Sequence, residues 1–313
     1  MNRPLSFIFI ISSLFLFSCS SGGKKYTDTP TSGDIIILAD ESYEPLVKVQ
    51  IDTFMDIYKY ANIHVRYLPE SEVFKQLLND DTVRLAIVTR ELKVNEQTFF
   101  ANRKIIPRTL KVAEDAVALI VNNENTDTLV KFEKLKDIFS GKIRTWENIG
   151  DSKSKDSILV VFDKSGSANA RYLKEVFLGD TDFPKNIYAA KSNAEVVEYV
   201  SNHKAAIGVI GLNWISDHDA PSAIGFLKKI KVVALTPPDT VPDREYYQPI
   251  QAYIALKKYP LTRGVYIISK EGRNGLGTGF ASFMAGDKGQ RLIRLMGLLP
   301  ATMPVRLVKI NNE

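Results

Sequence analysis

The sequence has one cysteine, Cys19, which excludes an internal disulfide framework and any cysteine-rich metal site in one step. Its three histidines, His64, His203 and His218, form no H-x-x-x-H or H-x-H pair, so the usual ligand spacing of a zinc site is missing and no metal is expected. There is no G-K-S/T phosphate loop and no G-x-S-x-G nucleophile elbow. The stretch Gly275 to Phe280 (GLGTGF) mimics a dinucleotide fingerprint, but its sixth position is Phe280, and no strand-to-helix unit with a trailing acidic residue follows. It reads as a loop before a helix, and no cofactor is expected. Basic residues are scattered rather than clustered with aromatics, which argues against a nucleic-acid partner.

What is present is the composition of a globular chain: 313 residues, 45% hydrophobic and 25% charged. At roughly 150 residues per domain, about two domains are expected. Residues 1–18 carry one basic residue, Arg3, and then an uncharged run, Leu5 to Ser18, too short and too serine-punctuated for a transmembrane helix. The run reads as a secretory signal. Its end, Leu16-Phe17-Ser18-Cys19 followed by Ser20-Ser21-Gly22-Gly23, resembles the bacterial lipobox, in which the cysteine is acylated and becomes the new N-terminus. Cys19 is then a lipid anchor, and residues 19–33, small and polar, form a flexible tether. Loss of Arg3 with the leader leaves 40 basic against 36 acidic residues, a mild excess.

Strand-like and helix-like segments alternate beyond the tether, which predicts α/β architecture with largely parallel sheets. Strands are expected at Ile35 to Ala39, Ile63 to Leu68, Leu85 to Val88, Ala113 to Asn122, Ile158 to Phe162 and Ala206 to Ile210. Helices are expected from Pro45 to Tyr60, Ser71 to Asn79 with a serine cap, Leu129 to Ser140 closed by Gly141, Ala168 to Leu178, Asn193 to Asn202 with an asparagine cap, and Leu276 to Leu295 broken at Gly286. The four prolines of Thr236 to Pro249 mark a connection.

The sharpest local feature is Ser165-Gly166-Ser167 between a strand and a helix. Helix N-termini leave backbone N–H groups unpaired and carry partial positive charge, so this turn suits an oxyanion. Ordinary capping by either serine is the other reading. Strand ends at Asp40-Glu41-Ser42 and Thr89-Arg90 could converge on the same place, because ligands of open α/β sheets collect at the carboxyl ends of strands. Arg90 offers either a bidentate fork or a surface ion pair, and Ser42 either a ligand contact or a cap. Trp146 and Trp214 are expected to pack against the core.

Leu135 to Ile143 with Trp146 resembles the L-x-D-I-F-x-G-K-I-x-x-W block of the phosphate-binding proteins of bacterial phosphate ABC transporters. Ile158 to Arg171 resembles their phosphate loop, Ala206 to Gly211 their A-I-G-Y-x-G strand, and Tyr259 to Arg263 their Y-P-L-x-R segment. Phe283, Gly289-Gln290-Arg291 and Gly297 resemble their last helix, and the blocks keep the family's order. The resemblance implies a two-lobed class II periplasmic-binding-protein fold with a ligand cleft between lobes. Residues 34–112 plus 247–313 would form one lobe and 113–246 the other, hinged near Lys111 to Glu114 and Tyr247 to Ala252. Position by position, the implied phosphate contacts are Ser42, Thr89, Arg90, Ser165, Gly166 and Ser167, with Asp163 matching an aspartate of the same loop. Asp40 and Asp163 are the implied candidates to accept the proton of hydrogen phosphate.

Three departures concern the ligand. Val161 stands where the family often has an arginine, Lys164 replaces a glycine, and Asp40-Glu41 replace small residues. Lys164 and Arg171 are the candidate substitutes for the missing charge. The implied function is capture of phosphate or a similar oxyanion for an ABC permease, by a monomer anchored to the membrane and facing the periplasm, without bond chemistry. The alternative is an oxyanion sensor or interaction protein on the same fold that has lost transport duty. A hydrolase lacks a paired nucleophile and base.

Overall fold

The computed structural model describes residues 28–149, 154–217 and 219–304. The signal segment, Cys19 and His218 lie outside them. In chain order the elements are β1 (Ser32–Asp40), α1 (Glu44–Ile57), β2 (Tyr60–Leu68), α2 (Glu70–Asn79), β3 (Val83–Val88), α3 (Val94–Asn102) and β4 (Arg108–Asn122). Then come β5 (Leu129–Val130), α4 (Phe132–Phe139), β6 (Leu159–Phe162), α5 (Ala168–Phe177), β7 (Ile187–Ala189), α6 (Asn193–Asn202) and β8 (Ala206–Gly211). The rest are α7 (Pro221–Leu227), β9 (Ile230–Val232), β10 (Ala234–Leu235), α8 (Gln251–Ala255), β11 (Thr262–Ser269), α9 (Leu276–Ala285), α10 (Asp287–Leu295) and β12 (Leu299–Pro300).

Strand β1 is parallel to β2 and β3, with α1 and α2 as the crossovers. Its residues are apolar on both faces because helices cover both. Ile35, Ile37 and Ala39 pack with Phe54 of α1 and Phe280 of α9. Leu38 packs on the other side with Phe74 and Leu77 of α2 and Phe100 of α3. Pro45 stands in the first turn of α1, where its missing N–H costs nothing, and Leu46, Val47, Gln50, Ile51 and Phe54 form the buried stripe.

Strand β4 is the element that joins the two halves. Its 15 residues span about 50 Å at the usual rise per residue. Arg108 to Ala116 pair antiparallel with β11, and Val117 to Val121 pair antiparallel with β8. Beyond β8 lie β6 and β7, parallel to it and to one another. A second core fills this half, built on Val117 to Val121 with Phe139, Trp146, Phe162, Phe177 and Val209. Ile254, Tyr259 and Leu261 belong to this core too, so the chain leaves it only at the start of β11. Gly208 explains the small residue in its strand: a Cβ there would stand 2.7 to 2.8 Å from side-chain carbons of Ile120, Val200 and Val196. Buried Gln290 donates to the Val112 and Met284 carbonyls, tying α10 to β4.

Several local expectations are corrected. The end of the expected tether, residues 28–33, is folded: Asp28 accepts the Leu276 N–H at 2.7 Å, and β1 begins at Ser32. Pro69 and Ser192, not Ser71 and Asn193, hold the N-cap positions of α2 and α6. The expected helix from Leu129 begins with the strand β5, which pairs with β10, and Gly141 at φ +73° follows the helix that ends at Phe139. Gly275 caps α9, and Leu276 to Phe280 are helical rather than a loop. The Glu271 carboxylate accepts the N–H groups of Gly277 and Thr278, so α9's own N-terminus is already neutralised by the chain.

Candidate functional site

The carboxyl ends of β1, β2, β3 and β6 meet where β4 and β11 cross between the halves. Each supplies charged or polar residues: Asp40 to Ser42 after β1, Glu70 after β2, Thr89 after β3, and Asp163 to Ser167 after β6. Asp115 of β4 and Arg263 of β11 lie between them, both buried. A cavity of about 540 Å³ opens beside this cluster, lined in part by Glu70, Ser71, Arg90, Lys164, Gly166 and Arg171.

After β1, Asp40 caps the short helical turn Glu41–Tyr43 by accepting the Ser42 N–H at 2.9 Å, and it also accepts the Ser42 hydroxyl. Ser42 is buried, and its carbonyl accepts Asn213 Nδ2 at 2.6 Å and Trp214 Nε1 at 2.9 Å from the other half. Trp214 therefore stands at the contact between halves, whereas Trp146 is a core residue as expected.

After β6, Ser167 is the N-cap of α5 and accepts the Ala170 N–H at 3.2 Å. Ser165 and Gly166 are exposed at the cavity. Gly166 has φ +78°, a backbone region that favours glycine, and a Cβ there would strike Ser71 Oγ. Its carbonyl accepts the Ser71 N–H at 3.2 Å. Asp163 is fully buried and accepts the amides of Asn169 and Asn193 at 2.9 and 3.3 Å. Val161 is buried in the β6 core.

Two of the ion pairs cross between the halves. Lys164 Nζ lies 2.5 Å from Glu41 Oε2. Arg171 Nε lies 2.5 Å from Glu70 Oε2, while its Nη2 donates to Thr89 Oγ1 at 2.6 Å. Glu70 Oε1 accepts both the Thr89 N–H at 2.9 Å and the Thr89 hydroxyl at 2.5 Å. Arg263 donates twice to Asp115 Oδ2, at 3.1 and 3.2 Å, and lies 5.5 Å from the centroid of the Tyr43 ring. Arg90 is different: its guanidinium forms a two-point bridge to Glu96 at 2.8 Å and lies 3.5 Å from the Phe74 centroid. The free fork read from its sequence position is thus engaged, because Glu96 at the start of α3 also accepts the Lys93 N–H and is fixed beside it.

Five carboxyl groups, Asp40, Glu41, Glu70, Asp115 and Asp163, therefore share the cleft with Lys164, Arg171 and Arg263. Burial, reinforced by the Glu70 charge, pushes the Asp40 carboxyl well up. Burial also raises Asp163, raises Asp115 against the pull of Arg263, and raises Glu41 against Lys164. Glu70 goes the other way: burial opposes its charge, but Arg171 and the Thr89 bonds outweigh burial and hold it low. Burial likewise opposes the Arg263 charge, yet the Tyr43 oxygen and the Asp115, Asp40 and Glu70 carboxylates drive its pKa up. Asp40 Oδ2, Asp163 Oδ1 and Arg263 Nη1 are buried polar atoms without a partner among the described residues.

Glu70, Asp115 and Arg263 were not singled out from the sequence, although Arg263 closes the Y-P-L-x-R block. The available signal for Glu70 was its place in Pro69-Glu70-Ser71, at the carboxyl end of a parallel strand. The other histidines stand apart: His64 is exposed beside Asp34, and His203 stacks on Tyr199 with centroids 3.8 Å apart. Among the described residues no cluster of three metal-ligating side chains exists, and no helix is long and apolar enough to cross a membrane.

Comparisons with known proteins agree with this architecture. The phosphate-binding protein PstS of Staphylococcus aureus strain USA300 is 24% identical over 285 residues, which cover 89% of this chain and 82% of that protein. A crystal structure from Clostridium perfringens, of a proposed phosphate ABC transporter substrate-binding protein with bound phosphate, superposes with a TM-score of 0.72 at 19% identity, covering 86% of this chain and all of that one. An ABC-type phosphate transport receptor from Vibrio cholerae gives a TM-score of 0.65 at 20% identity, over 87% of this chain and all of the receptor. The mixed α/β fold is thus the two-lobed class II binding-protein fold expected from the sequence. With residues 24–288 matching the PBP superfamily domain, the chain belongs to that superfamily.

Proposed function

We propose that this protein is an extracytoplasmic solute-binding protein that captures inorganic phosphate, or a closely similar oxyanion, in the inter-lobe cleft and delivers it to an ABC permease without catalysing a reaction. The observation that carries the reading is the convergence of the Thr89 N–H, the Thr89 hydroxyl and the Arg171 guanidinium on one pair of carboxylate oxygens. Donors arranged around one oxyanion suit another. Lys164, the Ser165 hydroxyl and the Gly166 turn extend the donor set on the opposite wall. Ser42 and Ser167 are buried, Ser167 directly after the Ser165-Gly166 turn. Asp40 Oδ2 and Asp163 Oδ1 are the candidates to accept the proton of hydrogen phosphate, a group that sulfate lacks at neutral pH.

The shared strand β4 supports two lobes that meet at Ala116/Val117 and at Leu261/Thr262, the first a few residues and the second about fifteen residues beyond the boundaries read from the sequence. The lipobox-like segment supports a lipid anchor at Cys19 with the folded chain facing the periplasm. Calorimetric titration with phosphate, arsenate and sulfate tests the reading: saturable phosphate binding with poor competition by sulfate is expected, and no binding of any of the three would refute it. The acid excess of the cleft favours one second reading, a sensor without transport duty. Such a protein would bind phosphate yet fail to restore uptake in cells whose permease is intact.

A further inference from the structure

The carboxylate seated among the oxyanion donors belongs to the protein. Glu70 is the first residue of α2, 1% exposed, and its two oxygens divide between the two lobes: Oε1 takes Thr89 of the first, Oε2 takes Arg171 of the second. An ordinary structural ion pair would leave one set of donors for the ligand. Here the pair uses the donors that the phosphate reading assigns to the ligand, and the chain between Pro69 and Ser71 holds the carboxylate at their centre. Ser71 reinforces this hold by donating its N–H to Gly166, so the start of α2 is fastened to the second lobe by backbone as well as side chain. Glu70 lies within the field of Asp40 of β1, Arg171 of α5 and Arg263 of β11, and Arg90 and Lys164 line the same cavity. Among these charged groups Arg171 bonds it directly.

We propose that Glu70 is a resident anion: its carboxylate bridges the lobes through Arg171 in the absence of ligand and competes with external oxyanions for Thr89 and Arg171, so that it sets the affinity of the cleft. The second half of this rests on the phosphate reading. An incoming phosphate either displaces the carboxylate or binds beside a fixed negative charge, and both weaken capture. The device favours a protein that releases its cargo readily and responds at high phosphate concentration over one that scavenges traces.

The test uses the full mature chain with Glu70→Gln, which keeps shape and removes charge, and Arg171→Met. Small-angle scattering without phosphate should show a larger radius of gyration for both variants than for the unmodified protein. Titration with inorganic phosphate should separate them: roughly 10- to 100-fold tighter binding for Glu70→Gln, the span of one or two lost charge-assisted competitors, and weaker binding for Arg171→Met. Phosphate binding by the unmodified protein with no tightening in Glu70→Gln would overturn the proposal and leave the phosphate reading standing. A Glu70→Gln protein that stays compact would also overturn it. Absence of phosphate binding in both the unmodified protein and Glu70→Gln would refute the phosphate reading and the competition together.

Discussion

Arg263 is the cation on which the buried charges of the cleft depend, and its removal should be the most destabilising single change there. The guanidinium is 2% exposed and its partner Asp115 is fully buried. Asp40 and Glu70 also lie within its field. Taking away one member of a buried pair leaves the other desolvated and uncompensated, which typically costs ~3–5 kcal/mol. Arg263→Met should therefore lower stability by about that amount, or roughly 10 °C in thermal midpoint for a chain of this size. Chemical denaturation read by circular dichroism measures the free energy. Adding Asp115→Asn to the same chain should restore part of it, because the neutral amide no longer carries an unpaired charge, and this recovery separates an electrostatic cause from simple loss of packing. Destabilisation below about 1 kcal/mol for Arg263→Met, or no recovery in the double variant, would refute the reasoning.

The serines of the turn should part company. Ser165→Ala should weaken phosphate binding by roughly 10-fold with little change in stability, since Ser165 is exposed, whereas Ser167→Ala should also cost ~0.5–2 kcal/mol as a lost helix cap; titration and denaturation of both variants check this. Ligand-free stability should fall as pH rises. Asp40 has a folded pKa above its ordinary 3.8, so the stability it contributes is complete below that value and is lost as pH climbs through the raised one. Glu70 has the opposite sign, contributing above its ordinary 4.5 and failing only in stronger acid. Thermal midpoints should therefore decline as pH rises above the ordinary 3.8 toward the raised value, and Asp40→Asn should flatten the decline.

The fold was legible where periodicity and punctuation were strong. Ile35 to Ala39 and Ile158 to Phe162 are buried strands whose ends were marked by polar residues, and Gly286 divides α9 from α10 as expected. Strand β11 was not read as a strand, since Thr262, Gly264 and Tyr266 break its apolar run on the less buried face. Helix α3 escaped notice because only Glu96 and Phe100 are buried on it, too few to show a period. Within the site, the S-G-S turn was legible from local chemistry alone. Glu70 and Asp115 were not, because their meaning lies in what they face: Arg171 is 101 residues from Glu70, and Arg263 is 148 from Asp115.

An acidic cleft that captures an anion requires its charges to be counted with their protons. Fully ionised, five carboxylates against Lys164, Arg171 and Arg263 would repel a phosphate dianion, since two like unit charges 4 Å apart in a surface-like dielectric repel by about 4 kcal/mol and a dianion doubles that. Burial raises Asp40 and Asp163, however, and a proton kept on Asp40 lowers the acid excess while leaving Asp163 ionised to accept the proton of hydrogen phosphate. A proton retained by Asp40 thus favours the bound anion. The expected result is that phosphate affinity weakens as pH rises through the Asp40 titration, and that Asp40→Asn, neutral at every pH, weakens less over the same range. Comparing the two proteins with the same ligand removes the titration of phosphate itself from the difference. Calorimetry at several pH values in buffers of different ionisation enthalpy reads both the affinity and the proton count; parallel pH profiles for the two proteins would show that Asp40 is not the group that holds the proton.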